Sequence, residues 1–375
     1  MNKKELTKIV KNEAIELNFD LCNITSSETF AEDRKIAIER IQSGKMAGLS
    51  WFNENRVIRG TDPSVLLPGA KSIISLGINY YQERKPKSDN KTLGKVAVYA
   101  WGKDYHRVVK KRMKLLVDNI SIVLGTNFKS RWYIDDGPML DRAVARRSGI
   151  GWIGKNTNLL SPQLGSWLFL GQIITDLELD TDVPLKKHCG NCTRCIEECP
   201  TKAITSPYTI DNSRCISYLT IENRGAIPSD LRESIGEWVF GCDVCQDVCP
   251  VNVRSQDSKE NLFKVNSKQS LDLIKLLSMS ENQFLEEFAG TPIMRSKYHG
   301  MQRNACVVLG NIGSPESIPA LIHALNSESP VVRGHSAWAL GKIGGLKSET
   351  ALRDQLCREK NPEVIEELVA AIPDV

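Results

Sequence analysis

The sequence predicts an α+β protein in three parts, and three observations predict it. Helical and strand periodicities alternate through the first 180 residues. Eight of the eleven cysteines then form two runs, Cys189-x2-Cys192-x2-Cys195-x3-Cys199-Pro200 and Cys242-x2-Cys245-x3-Cys249-Pro250, with Cys215 between them. Near the C-terminus a helical motif returns at an offset of 31 residues. The expected division is an N-terminal α/β domain at 1–180, a ferredoxin-like domain at 181–265 and a helical, HEAT-like repeat domain at 266–375.

In the first part, Leu6, Ile9, Val10, Ala14 and Ile15 mark one face of a helix over Leu6–Leu17. Phe19 to Ile24 reads as a short strand, 31–49 as an amphipathic helix, and Lys71 to Tyr80 as a buried strand. Tyr81 to Thr92 is polar and reads as a mobile loop. Tyr105 to Ile122 has strong helical spacing. The apolar run at 166–177, rich in β-branched and aromatic residues, reads as a central strand. In the last part, Arg303 to Gly313 resembles Gly334 to Gly344. Leu309-Gly310 aligns with Leu340-Gly341, and Ile312-Gly313 with Ile343-Gly344. A second helix follows each copy, and Pro330 and Pro362 stand where the next helices begin. Such repeats bind large partners or dock on a neighbouring domain.

The cysteines point to electron transfer. The first run has the bacterial two-cluster spacing, in which the fourth Cys crosses to the other cluster. By that rule Cys189, Cys192 and Cys195 hold one 4Fe–4S cluster with Cys249. Cys199, Cys242 and Cys245 hold the second, and Cys215 is the nearby residue that completes it. Two plainer readings compete. Disulfides suit an oxidising compartment, but the charged opening Met1-Asn-Lys-Lys-Glu has no apolar signal core, so a cytoplasmic location is expected. Zinc takes paired Cys-x2-Cys knuckles rather than this run. Cys22, Cys306 and Cys357 read as small core residues.

Composition sets further bounds. The chain is 375 residues long, 41% hydrophobic and 25% charged, as expected of an ordinary soluble protein. No apolar run approaches the roughly 20 residues that span a bilayer, so no membrane partner is expected. Net charge is only +4, but residues 101–155 hold 12 Lys and Arg against 5 Asp and Glu. A solvated helix face is the plain reading of that excess, and a polyanionic partner the sharper one.

Three segments carry polar chemistry. Arg131-Trp-Tyr-Ile-Asp135-Asp136-Gly137-Pro138 runs from a strand end through a turn into a helix. Acids at such a junction face out from a sheet edge, but capping of the following helix by Asp135 or Asp136 is the reading the residues favour. Ser148-Gly149-Ile150-Gly151-Trp152-Ile153-Gly154-Lys155-Asn156 carries three glycines that let backbone approach a ligand closely. In Trp101-Gly-Lys-Asp104-Tyr105-His106 the histidine reads as a hydrogen-bonding residue rather than a metal ligand.

These segments, with Cys215-Ile-Ser-Tyr-Leu-Thr-Ile-Glu222, Gly241-Cys-Asp-Val-Cys-Gln-Asp-Val-Cys-Pro250 and the helical repeats, closely resemble epoxyqueuosine reductases over nearly the whole chain. The resemblance implies reduction of the epoxide of epoxyqueuosine at the tRNA wobble position, with two 4Fe–4S clusters, cobalamin without a lower histidine ligand, and an external electron donor. It implies a cytoplasmic monomer. It makes Asp135 the proton donor, for which a carboxyl raised toward neutrality serves best. Asp136, where the family often has Thr or Ser, either raises Asp135 or points away. Cobalamin contacts implied by position are Arg59, Ala97, Asp135, Leu159, Ser217 and Asp243, with Arg56 close to Arg59. Arg224 is the implied tRNA contact. Two other functions stay open at this point: a dehalogenase-like cobalamin reductase of a small molecule, and an electron-carrier subunit.

Overall fold

The structure is a computed structural model describing residues 2–85, 92–264 and 268–372. Half of the segment read as a mobile loop (86–91), and the boundary drawn at 265–266, lie outside those residues. The first part contains α1 (Lys3–Glu16), β1 (Leu21–Ser26), α2 (Ala31–Gln42), α3 (Glu54–Gly60), α4 (Pro63–Leu66), β2 (Ser72–Asn79) and β3 (Leu93–Val96). It continues with α5 (Tyr105–Leu124), β4 (Ser130–Tyr133), α6 (Asp141–Arg147), the hairpin β5 (Trp152–Ile153) and β6 (Leu159–Leu160), and β7 (Leu168–Thr175). The helix expected over 31–49 stops at Gln42, where Ser43-Gly44 interrupts it.

The main sheet has the order β1-β2-β7-β4 and is antiparallel throughout. Helices cover both of its faces. Ile74, Leu76 and Ile78 of β2 join Val10, Met113, Leu116 and Ile120 of α1 and α5 in one core, whereas Ile73 packs with Ala143 and Val144 of α6 in another. That double burial is why β2 reads as a continuous apolar run rather than an alternating one. Each such side chain withdrawn from water contributes about 1.5–3 kcal/mol.

The second part holds α7 (Arg194–Glu197), β8 (Ile204–Ser206), β9 (Thr209–Ile210), α8 (Ile216–Ile221), α9 (Ser229–Arg232), β10 (Trp238–Phe240) and α10 (Val244–Asp247). The tail begins with β11 (Ser270–Asp272) and continues through α11 (Leu273–Ser278), α12 (Glu281–Phe288), α13 (Tyr298–Ile312), α14 (Ile318–Ala324), α15 (Pro330–Ile343), α16 (Leu346–Leu356) and α17 (Pro362–Ala371). Pro330 and Pro362 are first residues of their helices, where the missing N–H costs nothing. Helices α13, α15 and α17 pack in succession. Cys22 and Cys306 are buried as expected, but Cys357 is exposed at the end of α16 and is not a core residue.

A second sheet joins the three parts. β3 pairs in parallel with β10 and antiparallel with β11. Ala97 N–H then donates to Phe240 O at 2.9 Å, bringing the chain after β3 beside the chain after β10. The fit is tight. Gly241 has φ +69°, and a Cβ there would stand 2.6 Å from the Ala97 Cβ. One hydrophobic core runs from Val10 to Ile372 through all three parts. No helix among the described residues is long and apolar enough to cross a membrane.

Candidate active site and cluster-binding cysteines

None of the eight run cysteines is in a disulfide. The charges that each sulfur feels show which thiols are neighbours. Burial, then Cys249, Cys189 and Cys192, push the Cys195 thiol up to about 11. Burial raises Cys242, with Asp243, Cys215 and Cys199 adding to it and the Val244 N–H opposing. Burial, then Cys242, Cys215, Asp243 and Cys195, raise Cys245 well above the ordinary thiol range, so Cys245 stands between the two sets. Among the described residues no three Cys, His, Asp or Glu side chains converge on a single ion. Ligands of a cubane bind separate irons and stand further apart, so the donor set suits clusters better than one zinc. The surrounding amides suit sulfur as well. Ala203 N–H donates to Cys199 Sγ at 3.2 Å, and Asn158 Nδ2 lies 3.9 Å from Cys245 Sγ.

Asp135 lies just beyond β4. Its backbone is left-handed, φ 53°, a strained conformation for a residue with a side chain. The favoured capping reading is overturned. Leu140 holds the N-cap position of α6 and makes no side-chain cap. Asp136 accepts from the Ile134 N–H at 3.0 Å and pairs with Lys110. Burial works against its charge, but the Lys110 and Ile134 hydrogen bonds hold its carboxyl below the usual range. Asp136 is therefore committed away from its neighbour, while Asp135 Oδ2 accepts from the Tyr105 hydroxyl at 2.6 Å.

Tyr105 is the residue that the sequence reading quoted but left without a role. Its ring stacks on Phe169 at 4.2 Å and on His106 at 4.1 Å. Burial, then the Asp135 charge, keep its hydroxyl protonated well beyond the ordinary range, so it donates. His106 is held by Asp104 at 2.8 Å, in keeping with its reading as a hydrogen-bonding residue. Arg56 donates to Gly137 O and feels Asp135, Asp141 and Asp136, although burial lowers its own pKa. Arg59, one turn on, is exposed beside Tyr133. Asp141 lies behind the loop with a buried Oδ1 that no group bonds, and burial, then Asp135, raise it well above the carboxylate range. Across the opening, Arg295 from the tail makes a bidentate pair with Glu222 at 2.8 and 3.0 Å and feels both Asp135 and Tyr105.

The other quoted residues scatter more widely. Ala97 is buried beside Gly241, and Ser217 lies at the start of α8. Asp243 is 1% exposed, and its Oδ2 takes both the Val98 N–H at 2.8 Å and Arg84 Nη2 at 2.5 Å. Leu159 packs with Ala145 and Ile150 beyond the thiols. Arg224 gives its guanidinium to the carbonyls of Ile221, Ser296 and Arg295. The glycines at 149 and 151 serve the chain itself rather than a ligand: a Cβ would stand 2.4 Å from Val183 O or 2.3 Å from Leu160 O. Part of the basic excess is tied to the chain itself, although Lys103, Arg107, Lys111, Lys114, Lys129, Arg131 and Arg142 are exposed. Arg112 pairs with Glu260 and Arg146 with Asp33, and Arg147 grips Glu28 O and Ser26 O.

Comparison with known proteins accounts for this arrangement. Residues 61–136 match a family model described as "Epoxyqueuosine reductase QueG, DUF1730", 188–252 match a 4Fe–4S double cluster binding domain, and 292–373 match HEAT repeats. An epoxyqueuosine reductase of Cellulophaga algicola is 41% identical over 310 residues, 81% of this chain and 98% of that protein. A crystal structure of epoxyqueuosine reductase with an epoxyqueuosine-modified tRNA-Tyr stem loop superposes with a TM-score of 0.92 at 31% identity, covering 99% of each chain. A Bacillus subtilis epoxyqueuosine reductase, solved with its catalytic loop swung out of the active site, gives 0.91 at 32% identity over 99% of each chain. The chain carries a double 4Fe–4S cluster-binding domain and belongs to the epoxyqueuosine reductase family of oxidoreductases.

Proposed function

We propose that this chain reduces the epoxide of epoxyqueuosine at the wobble position of tRNA to the alkene of queuosine. The observation that carries it is the Tyr105–Asp135 pair at the junction with the cluster segment, in a chain that superposes along its length on the tRNA stem-loop complex. The net change is two electrons and two protons added, one C=C formed and one water lost. Two 4Fe–4S clusters, fed by an external donor, would pass the electrons, and cobalamin would supply the reducing chemistry for the epoxide. We assign Cys189, Cys192, Cys195 and Cys249 to the first cluster and Cys199, Cys215, Cys242 and Cys245 to the second.

Asp135 supplies the proton that the opening alkoxide needs. Tyr105 binds one carboxyl oxygen and leaves the other for the substrate. A left-handed residue at the tip of a loop is aimed by the loop rather than by its own rotamer, and Arg56 holds that loop at Gly137. The surroundings would accept cobalamin, and His106, already held by Asp104, would stay a hydrogen-bonding residue beside it. Ala97, Ser217, Asp135 and Arg59, with Arg56 nearer the acid, would border it. Asp243 would act by holding the 97–98 backbone, and Leu159 would stand furthest off.

The three segments divide the work into acid and cofactor wall (1–180), electron path (181–265) and docking surface (266–375). Arg224 serves the last by fastening the tail, and the chain is read as a monomer working in the cytoplasm. The test is anaerobic turnover of an epoxyqueuosine stem loop, followed by mass analysis of its nucleosides. Conversion to queuosine with a loss of 16 mass units, about one oxygen, supports the reading, and no conversion with both clusters and cobalamin loaded refutes it.

A further inference from the structure

Helix α8 has six residues, too few to be stable alone, and its last carbonyls have no partner inside the helix. The tail supplies the partners. Arg303 of α13 donates to Leu219 O at 2.7 Å, and to Asn223 O at 2.9 Å and Gly225 O at 2.7 Å in the loop that follows. Its neighbour Asn304 donates to Thr220 O at 2.7 Å and also to Val239 O at 2.9 Å in β10. Ser296 Oγ adds a second bond to Thr220 O, at 2.7 Å. Arg303 is 1% exposed and faces carbonyls rather than a carboxylate. Burying a cation this way is costly, so each carbonyl it holds is firmly placed.

What these bonds grip is specific. Cys215 is the N-cap residue of α8. β10 leads through Gly241 to Cys242, and Gly241 N–H donates to Thr220 Oγ1 at 2.9 Å. One pair of tail residues thus holds the backbone leading to two sulfurs of the second group. None of these bonds involves a residue assigned to the first group. Hydrogen bonds to cluster sulfurs and exclusion of water are what set a cluster's potential.

The geometry points to Arg303 and Asn304 as positioning residues for the second cluster, fixing from the helical tail the segments that carry Cys215 and Cys242. This rests on the ligand assignment above. The tail is then part of the redox centre's frame as well as a docking surface.

The test is an EPR-monitored redox titration of the anaerobically purified holoenzyme. Ser296→Ala, Asn304→Ser and Arg303→Met should shift the signal and potential of one cluster increasingly in that order, leave the other unchanged, and shorten that one cluster's lifetime in air several-fold. Arg303→Lys should restore part of the loss. Leu368→Ala, a cavity in α17 away from α8, should lower the melting temperature and leave both signals alone. If Arg303→Met does not fold, the two milder variants decide. Equal changes in both clusters, or no change in Asn304→Ser, overturn the proposal. Cys215→Ala separates its failure from that of the ligand assignment. If Cys215→Ala keeps both clusters, the assignment falls and takes the proposal with it. If it loses one while Asn304→Ser changes nothing, only the positioning role falls.

Discussion

Cys189 and Cys192 stand in a loop flanked by the exposed residues His188, Gly190 and Asn191, whereas Cys215 and Cys242 stand at the ends of elements gripped by the helical tail. By exposure the two groups match, each with three partly buried thiols and one buried, Cys249 in the first and Cys199 in the second. Their neighbours separate them. Cys242 follows Gly241, which packs on Ala97 and Tyr99, and Tyr99 lies against Tyr105. The same contrast separates a site built by short spacing from one built by long-range packing.

The largest effects should come from the thiols. Cys192→Ala and Cys215→Ala should each abolish turnover, and each should remove a different cluster, so that iron per chain falls by about half in both. If one variant lost both clusters, the two groups would not be separate sites. Next comes the acid loop. Asp135→Asn should cut turnover by about 10²–10⁴-fold while iron content and the EPR signals stay as they were. Wild-type rates would remove Asp135 from the reaction. Tyr105→Phe loses one hydrogen bond to that carboxyl, worth about 1.5 kcal/mol, and should slow turnover about tenfold.

The smallest effect lies in the seam that holds the second group's frame to the tail. His335 Nε2 accepts from the Ile227 N–H at 3.0 Å, and Nδ1 donates to Val331 O at 2.7 Å, so the ring is neutral with both nitrogens used. Burial, then Arg232 and Arg303, hold its pKa well below the ordinary 6.5. Below pH 6.5 the unfolded chain binds a proton at this site that the folded chain does not. Stability should therefore fall as pH drops, by up to about 1.4 kcal/mol per unit. His335→Gln should be less stable at pH 7 and should flatten that slope, as read from denaturant midpoints against pH.

The cysteine runs and the helical repeat were legible because both are local. A Cys-x2-Cys spacing or an offset of 31 residues survives in one dimension. The strands β2 and β7 were legible for a similar reason, since burial on both faces leaves a continuous apolar run. The Asp135 site was not. Its parts come from α3, α5, the loop after β4 and the tail, and only packing brings Arg56, Tyr105 and Arg295 to one carboxylate. Capping was the sensible local reading of an acid before a helix, and the loop overrides it by taking Leu140 to the cap position. The basic stretch was ambiguous for a related reason: guanidinium groups also tie backbone carbonyls, as Arg131 does at Leu66 and Arg147 at Ser26, and sequence does not say which way they turn.

The joining sheet has a consequence for how the protein is made. β11, its last strand, follows Cys249 in the chain by about twenty residues, and β3 and β10 cannot be completed without it. All eight thiols therefore leave the ribosome before the sheet that frames them can close. Synthesis itself leaves a period in which a carrier delivering iron and sulfide can reach the thiols before that frame closes around them.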